Sequence, residues 1–284
     1  MIVRFWGVRG SIASPGPEAV KVGGNTSSVE VIAAGQRFLL DAGTGLRNLG
    51  QQLLREGAPV RATLLLSHYH WDHIQGLPFF VPLYQPSTEL TIVGGKNGLM
   101  SVREALEHQM KAPVFPVRLD EVGASLRMRE VSSGEGFAIG EARVRTLRGN
   151  HPGGVMAYRI DAEGSSVVYA TDIEHYACVD PALRAFAEGA DVLIYDSQYT
   201  EAEYAGVGSI SKVGWGHSTY VAGCDLARAA GVGHYVMFHH DPSRTDDAVV
   251  ELERAARLLF PRTTAAREGM VLRLGQDAAA VDAA

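Results

Sequence analysis

The segment Ala62-Thr63-Leu64-Leu65-Leu66-Ser67-His68-Tyr69-His70-Trp71-Asp72-His73 joins an apolar run to three imidazoles and a carboxylate. Residues 62–66 have the length and composition of a buried strand. A tight turn at a strand end can aim the side chains that follow at one point. Imidazole suits Zn, Fe or Ni, and a carboxylate adds a hard oxygen ligand and negative charge. The plain alternative is a solvated polar loop, but four metal-competent groups within so few positions favour metal ligation.

Upstream, short apolar segments alternate with glycine-rich punctuation. Residues 2–6, 28–32 and 37–40 read as strands, the last closing on Asp41-Ala42-Gly43-Thr44-Gly45. Between the first two lie Gly7-Val8-Arg9-Gly10-Ser11 and Gly23-Gly24-Asn25-Thr26, whose glycines permit left-handed backbone and close approach. Residues 46–56 carry helical apolar spacing and stop at Gly57-Ala58-Pro59. Asp41 can bond its own turn or orient a histidine ligand.

Downstream, residues 91–95 read as a strand and residues 98–111 as a helix with Leu99, Val102, Leu106 and Met110 on one side. Ala112-Pro113-Val114-Phe115-Pro116-Val117 breaks that helix, an apolar segment of the kind found in cores, subunit interfaces or walls over a site. His108 has no partner at ligand spacing and reads as structural or solvated. The strand pattern resumes at residues 142–147, and residues 155–160 and 166–170 form a hairpin-like pair. His151 and Asp172 follow strand ends, as the first cluster does, and that shared placement favours ligation. Strands are expected at residues 191–195, 234–238 and 270–274, helices at 181–188, 220–230 and 246–260, and an alanine-rich tail that frays. Ser218 or Thr219 caps the helix behind Gly216-His217. The strand at 234–238 empties into His239-His240, and alternation of faces lets only one of them enter a site.

At 284 residues, with 46% hydrophobic residues and mean hydropathy near zero, the chain can bury a sizeable core. No linker interrupts it, so residues 1–284 read as one domain. Two halves of strands followed by helices imply an α/β fold of two face-to-face sheets with helices outside, four layers in αββα order. A net charge of −6 argues against general affinity for nucleic acid or anionic membrane. No run reaches transmembrane length, and the opening residues lack the apolar core of a signal peptide. Cys178 and Cys224 lack C-x-x-C spacing and read as reduced, packed thiols of a cytoplasmic protein.

The order H-x-H-x-D-H resembles the signature of the metallo-β-lactamase superfamily, and the match runs from Asp41 through His239. Phe5-Trp6-Gly7-Val8-Arg9-Gly10-Ser11, Gly23-Gly24-Asn25-Thr26-Ser27-Ser28, Gly216-His217-Ser218-Thr219 and Phe238-His239-His240-Asp241-Pro242 resemble its phosphodiesterase-like branch, which is similar to RNase Z and phosphoribosyl cyclic phosphodiesterases. The resemblance implies two divalent ions, Zn ahead of Mn or Fe. His68, His70 and His151 would hold one ion, Asp72, His73 and a terminal histidine the other, with Asp172 bridging and Asp41 in support. His239 lies 22 residues past His217, the branch's spacing, and so is preferred to His240. Such a site leaves a position for water, and paired ions acidify it and clamp a phosphate. His217 and Asp72 would be catalytic, His217 giving a proton to the leaving group. The implied activity is hydrolysis of a small or cyclic phosphodiester. A lactone, thioester or β-lactam hydrolase ranks second, and a non-catalytic metal-binding protein third. The acidic balance and the lack of a Lys/Gly-rich insertion argue against a tRNA-sized substrate. The apolar segment at residues 114–117 is compatible with a homodimer.

Overall fold

Period-two alternation explains the first sheet. Its strands are β1 (Ile2–Gly7), β2 (Ser28–Ala33), β3 (Gln36–Leu40), β4 (Arg61–Leu66), β5 (Glu89–Gly95) and β6 (Ser125–Val131). Phe38, Leu40, Leu65 and Val93 face one way, and Leu39, Leu64, Leu66 and Ile92 the other, all of them buried. A strand covered on both faces reads as a nearly continuous apolar run, and in β3–β5 it belongs to a parallel array. The second sheet is built from β7 (Gly136–Ile139), β8 (Ala142–Gly149), β9 (Val155–Ala162), β10 (Ser165–Ala170), β11 (Val192–Asp196), β12 (His234–Phe238) and β13 (Thr263–Ala265). The chain then returns to the first sheet with β14 (Val271–Arg273) and β15 (Val281–Asp282).

In this computed structural model, residues 1–96, 100–275 and 281–282 are described. Among them the strand orders are β15-β14-β1-β2-β3-β4-β5-β6 and β13-β12-β11-β10-β9-β8-β7. Each half begins as an antiparallel meander and continues as a parallel run, so the expected likeness of the halves appears in the topology. Inner faces of both sheets share one core containing Phe5, Val31, Phe38, Tyr158, Val167 and Ile194. Outside the first sheet, α1 (Gly45–Glu56) lays Leu46, Leu49 and Leu53 onto the outward leucines of β3 and β4. The short α2 (Trp71–Ile74) and then α3 (Val102–Gln109) follow on the same side. The second sheet is served by α4 (Pro181–Ala187), α5 (Glu201–Ala205), α6 (Tyr220–Ala230) and α7 (Asp246–Leu259). This is the expected αββα arrangement. No helix among the described residues is long and apolar enough to cross a membrane.

Two local expectations change, at α3 and Cys178, and two are narrowed. Helix α3 starts at Val102 rather than residue 98, because Ser101 and Glu104 form a capping box that fixes its first turn; Leu99 lies outside the described residues. The segment 112–117 is largely surface, with Val114 70% exposed and Phe115 edge-on to Phe79. Cys178 is exposed and only Cys224 is packed. The alanine-rich tail falls mostly outside the described residues, yet Val281 and Asp282 pair with β14.

Candidate metal centre

Parallel strands deliver their carboxyl ends to one edge, and ligand sites of such sheets lie there. In the first sheet Leu40 pairs with Leu65, so the residues after β3 and β4 emerge side by side. Asp41 N–H donates to the Leu65 carbonyl at 3.0 Å. In the second sheet Ala170 pairs with Tyr195 and Asp196 with Phe238, which brings Asp172, Asp196 and His239 out together. The two edges meet. Tyr158 donates to the Leu66 carbonyl (2.7 Å), Met156 N–H to the Ser67 carbonyl (2.8 Å) and Tyr169 to Asp41 Oδ2 (2.7 Å). After β4, His70 is extended and precedes α2; this single turn buries Asp72 and His73 and leaves Trp71 outside.

Two ligand groups hold the expected residues, and a third, Asp172, Asp196, His217 and His239, overlaps the second. Donor atoms of His68, His70 and His151 lie within 4.8 Å of one another, as do those of Asp72, His73, Asp172 and His239. Asp172 stands between the groups: Oδ2 is 3.4 Å from His73 Nε2 and 3.8 Å from His68 Nε2, and Oδ1 is 3.2 Å from His239 Nε2. Asp72 Oδ2 is 3.1 Å from His239 Nε2 and 3.2 Å from His73 Nε2. Among the expected site residues, His68, His70, Asp72, His73, His151, Asp172 and His239 thus converge. His240 points elsewhere and donates from Nε2 to the Ala266 carbonyl at 3.0 Å. Burial pushes its pKa down to about 3.

The donor set fits divalent cations. Nε2 of His68 and of His73 is buried and makes no hydrogen bond, which is costly for a polar atom unless something else meets it. Burial, reinforced by neighbouring imidazoles, holds His68 and His70 below the usual histidine range, so they are neutral and able to ligate. His151 is lowered as well, chiefly by burial. Around His73 burial is overcome by Asp72, Asp172 and Asp41, which raise it. For Asp72 and Asp172 burial is likewise outweighed, here by His73 and His239, and both stay ionised far below the carboxylate range. Without a cation these carboxylates hold a proton on His73; beside the neutral His68, His70 and His151, a bound cation would neutralise their charge instead.

The far side of three of these imidazoles is held. His73 Nδ1 donates to Asp41 Oδ2 (2.7 Å), His151 Nδ1 to the Gly216 carbonyl (2.8 Å) and His239 Nδ1 to Gln198 Oε1 (2.8 Å). Each bond keeps Nε2 free to ligate. Two glycines allow this packing. A Cβ at Gly216 (φ 89°) would collide with the His151 ring, and one at Gly10 with the His239 ring. The N–H of Ser11, next to Gly10, donates to Asp72 Oδ2 at 2.7 Å.

His217 borders the second group, its ring stacked on His239 at 4.9 Å. Its Nδ1 donates to Asp196 Oδ2 at 2.9 Å, while Asp196 Oδ1 accepts the N–H groups of Gln198 and Ser218. Burial opposes the charged ring, but Asp196 dominates and the pKa is pushed up to about 9. Thr219, not Ser218, caps α6. Sequence reasoning missed Asp196, Gln198, Ser11 and Glu174. The last accepts the N–H groups of Gly214 and Gly216 and shapes the loop beside His217. Asp196 carries the signal that singled out Asp172, an acid at the end of an apolar strand, and Ser11 closes a motif already noted; Gln198 and Glu174 carry none.

Residues 36–240 match the β-lactamase superfamily domain. A Ribonuclease Z from Bradyrhizobium sp. (strain ORS 278) is 26% identical, the alignment spanning 86% of this chain and 92% of that protein. Among solved structures, the metallo-β-lactamase fold protein YhfI from Bacillus subtilis superposes with a TM-score of 0.71 at 21% identity, covering 95% of this chain and 97% of that one. A diphosphatase from the PhnP family superposes at 0.69 and 20% identity, covering 96% and 98%. With the ligand groups and the two-sheet fold, these matches show that the chain belongs to the metallo-β-lactamase superfamily, as a metal-dependent hydrolase.

Proposed function

We propose that this chain is a dinuclear metal phosphodiesterase acting on a small phosphodiester. His68, His70 and His151 would hold one ion and Asp72, His73 and His239 the other, with Asp172 shared; this nitrogen-rich set suits Zn, with Mn and Fe as competitors. When bound, such a pair acidifies water and offsets charge on a phosphate.

The observation that carries the reading is the Asp196–His217 pair at the border of the second group. Asp196 holds one His217 proton at Nδ1 and keeps the ring protonated at neutral pH, so a second proton at Nε2 can be given up. His217 delivers this proton to the leaving oxygen as the P–O bond breaks and water adds to phosphorus, giving a phosphomonoester and an alcohol. Asp72, fixed by Ser11, accepts a hydrogen bond from the attacking water and keeps it in line with the phosphate. The Ribonuclease Z likeness supports phosphodiester chemistry, and the net charge of −6 favours a substrate smaller than tRNA.

The test is a hydrolysis panel of bis-p-nitrophenyl phosphate, cyclic nucleotides, a lactone and nitrocefin, run on the wild type and His217→Ala with metal content measured in parallel. Phosphodiester turnover that collapses in the variant while metal content holds is the expected result. Carbonyl turnover indifferent to the substitution would overturn it.

A further inference from the structure

Two of the chain's three tryptophans stand exposed beside the centre: Trp71 is 79% and Trp215 is 50% accessible. Their placement follows from the ligands. Trp71 lies between His70 and Asp72, on the solvent side of the turn that buries Asp72 and His73. Trp215 precedes Gly216, whose carbonyl holds His151. The His70 and His151 rings touch at 4.9 Å, so the two indole-bearing backbones flank that contact. Other apolar side chains of this chain are as exposed; what sets these two indoles apart is that both adjoin residues of the ligand shell.

A cation accompanies them. Lys212 Nζ lies 4.1 Å from the centroid of the Trp215 ring and 6.0 Å from that of Tyr199. The Tyr199 ring is in turn 6.0 Å from His217. No salt bridge engages Lys212 among the described residues. A chain with a net charge of −6 thus keeps an ammonium group one aromatic ring from its proton donor, held over an indole by cation–π attraction.

We propose that this rim selects a nucleotide-type phosphodiester: Trp71 is the platform on which the planar base stacks, and Lys212, positioned by Trp215, meets the substrate's negative charge. The proposal rests on the phosphodiesterase reading and narrows its substrate class to esters that carry a nucleoside. Charge and shape agree with that occupant. An apolar ring offers no hydrogen-bond code, so the rim would read the presence of a base rather than its identity. Stacking of this kind changes affinity by roughly ten-fold or more per base.

Two p-nitrophenyl diesters with the same leaving group test it: thymidine 5′-(p-nitrophenyl phosphate) and methyl p-nitrophenyl phosphate. The wild type should favour the thymidine ester by about ten-fold or more in kcat/KM. That ratio should fall toward one in Trp71→Ala and survive in Trp71→Phe, while Lys212→Gln should raise KM for both esters. A control at the remote, 88% exposed Leu258, Leu258→Ala, should keep the wild-type ratio. Equal turnover of the two esters by the wild type, or a ratio untouched by Trp71→Ala, overturns the rim but leaves the phosphodiesterase reading standing. Turnover of neither ester, with lactone cleaved, overturns that reading instead, and a binding measurement then decides the rim. Thymidine 5′-monophosphate should quench indole emission saturably, ribose 5-phosphate should not, and the effect should vanish in Trp71→Leu. Quenching that is absent, or equal for both ligands, overturns the rim.

Discussion

Replacing Asp41 by Asn should weaken metal binding at both positions although Asp41 belongs to neither ligand group. The carboxylate accepts four hydrogen bonds: Ser67 N–H at Oδ1, and Ser67 Oγ, His73 Nδ1 and Tyr169 OH at Oδ2, each at 2.7 Å. In Asp41→Asn the amide oxygen stays with the Ser67 N–H, and the NH2 group replaces Oδ2. The Ser67 and Tyr169 hydroxyls can turn and accept, but the imidazole must lose its Nδ1 proton to do so. The proton then moves to Nε2, the atom facing Asp72 and Asp172, and His73 ceases to be a ligand. The reversal passes to the other group through the Ser67 hydroxyl, which lies 3.0 Å from His68 Nδ1. Disturbing such outer partners costs 10- to 100-fold in metal affinity, about 1.4–2.7 kcal/mol. If instead one donor is left unpaired, the cost is about 1–3 kcal/mol of stability, or a fall in Tm of roughly 2–12 °C for a chain of this size. Elemental analysis after dialysis against graded chelator measures the first, and calorimetry the second. Metal affinity within two-fold of the wild type, alongside a lowered Tm, would refute the tautomer argument and reduce Asp41 to a structural acceptor.

Gly216→Ala places a methyl group in the His151 ring at a φ of 89°; expected are a loss of about 2 kcal/mol or more and lower occupancy at the His68/His70/His151 position, read by calorimetry and metal analysis. Asp196→Asn should lower kcat by at least ten-fold with metal content unchanged, because it leaves the His217 Nδ1 proton without its carboxylate; parallel loss of metal would place Asp196 among the ligands instead. His240 has a folded pKa depressed to about 3, so its contribution to stability is full above pH 6.5 and is lost as the pH falls toward 3. This amounts to about 2 kcal/mol by pH 5, and urea titrations of His240→Gln between pH 7 and 5 should show a shallower slope than the wild type. Removing metal by chelation should lower Tm by roughly 5–10 °C, corresponding to about 2.7 kcal/mol for a site loaded at 100 times its Kd.

The fold and the ligands were legible for related reasons. Leu64, Leu65 and Leu66 are apolar in succession because β4 is buried on both faces, and that run marks a central parallel strand without any knowledge of its partners. The groups placed just past such strands could be recognised one at a time, since His68, His151, Asp172 and His239 share that position. Alternation of faces could not choose between His239 and His240; the spacing to His217 favoured His239, and the backbone shows how it enters, since at φ 61° it leaves the strand's alternation. Strands β6 and β7 escaped notice because both are largely exposed strands at sheet edges, β6 interrupted by Arg127, Arg129 and Glu130 and β7 only four residues long. Supporting contacts were hidden by distance along the chain: Ser11 reaches Asp72 across 61 positions, and Gln198 reaches His239 across 41. A serine or glutamine in a loop carries no periodicity that would announce such a partner.

One device recurs on both sides of the centre. Asp41, Asp172 and His239 all adopt left-handed backbone, with φ of 60°, 54° and 61°. Each follows the carboxyl end of a strand that lies inside a sheet. Continued extension would send each side chain to one face of its sheet, into packed core; the left-handed residue turns the chain and delivers the side chain to the crevice instead. A non-glycine residue in that conformation costs on the order of 1 kcal/mol or more, so something must hold it there. For Asp41 it is four donors, for Asp172 the Thr171 hydroxyl at 2.5 Å together with three imidazoles, and for His239 the Gln198 side chain. These restraints come from the protein, through groups anchored in the two sheets. Metal binding should therefore act on a geometry the chain already maintains, unlike a zinc finger, whose fold depends on its ion. Chelation should thus leave the far-ultraviolet circular dichroism unchanged while lowering Tm, and a loss of sheet signal at 25 °C on chelation would show that the ions, rather than these hydrogen bonds, hold the strand ends in place.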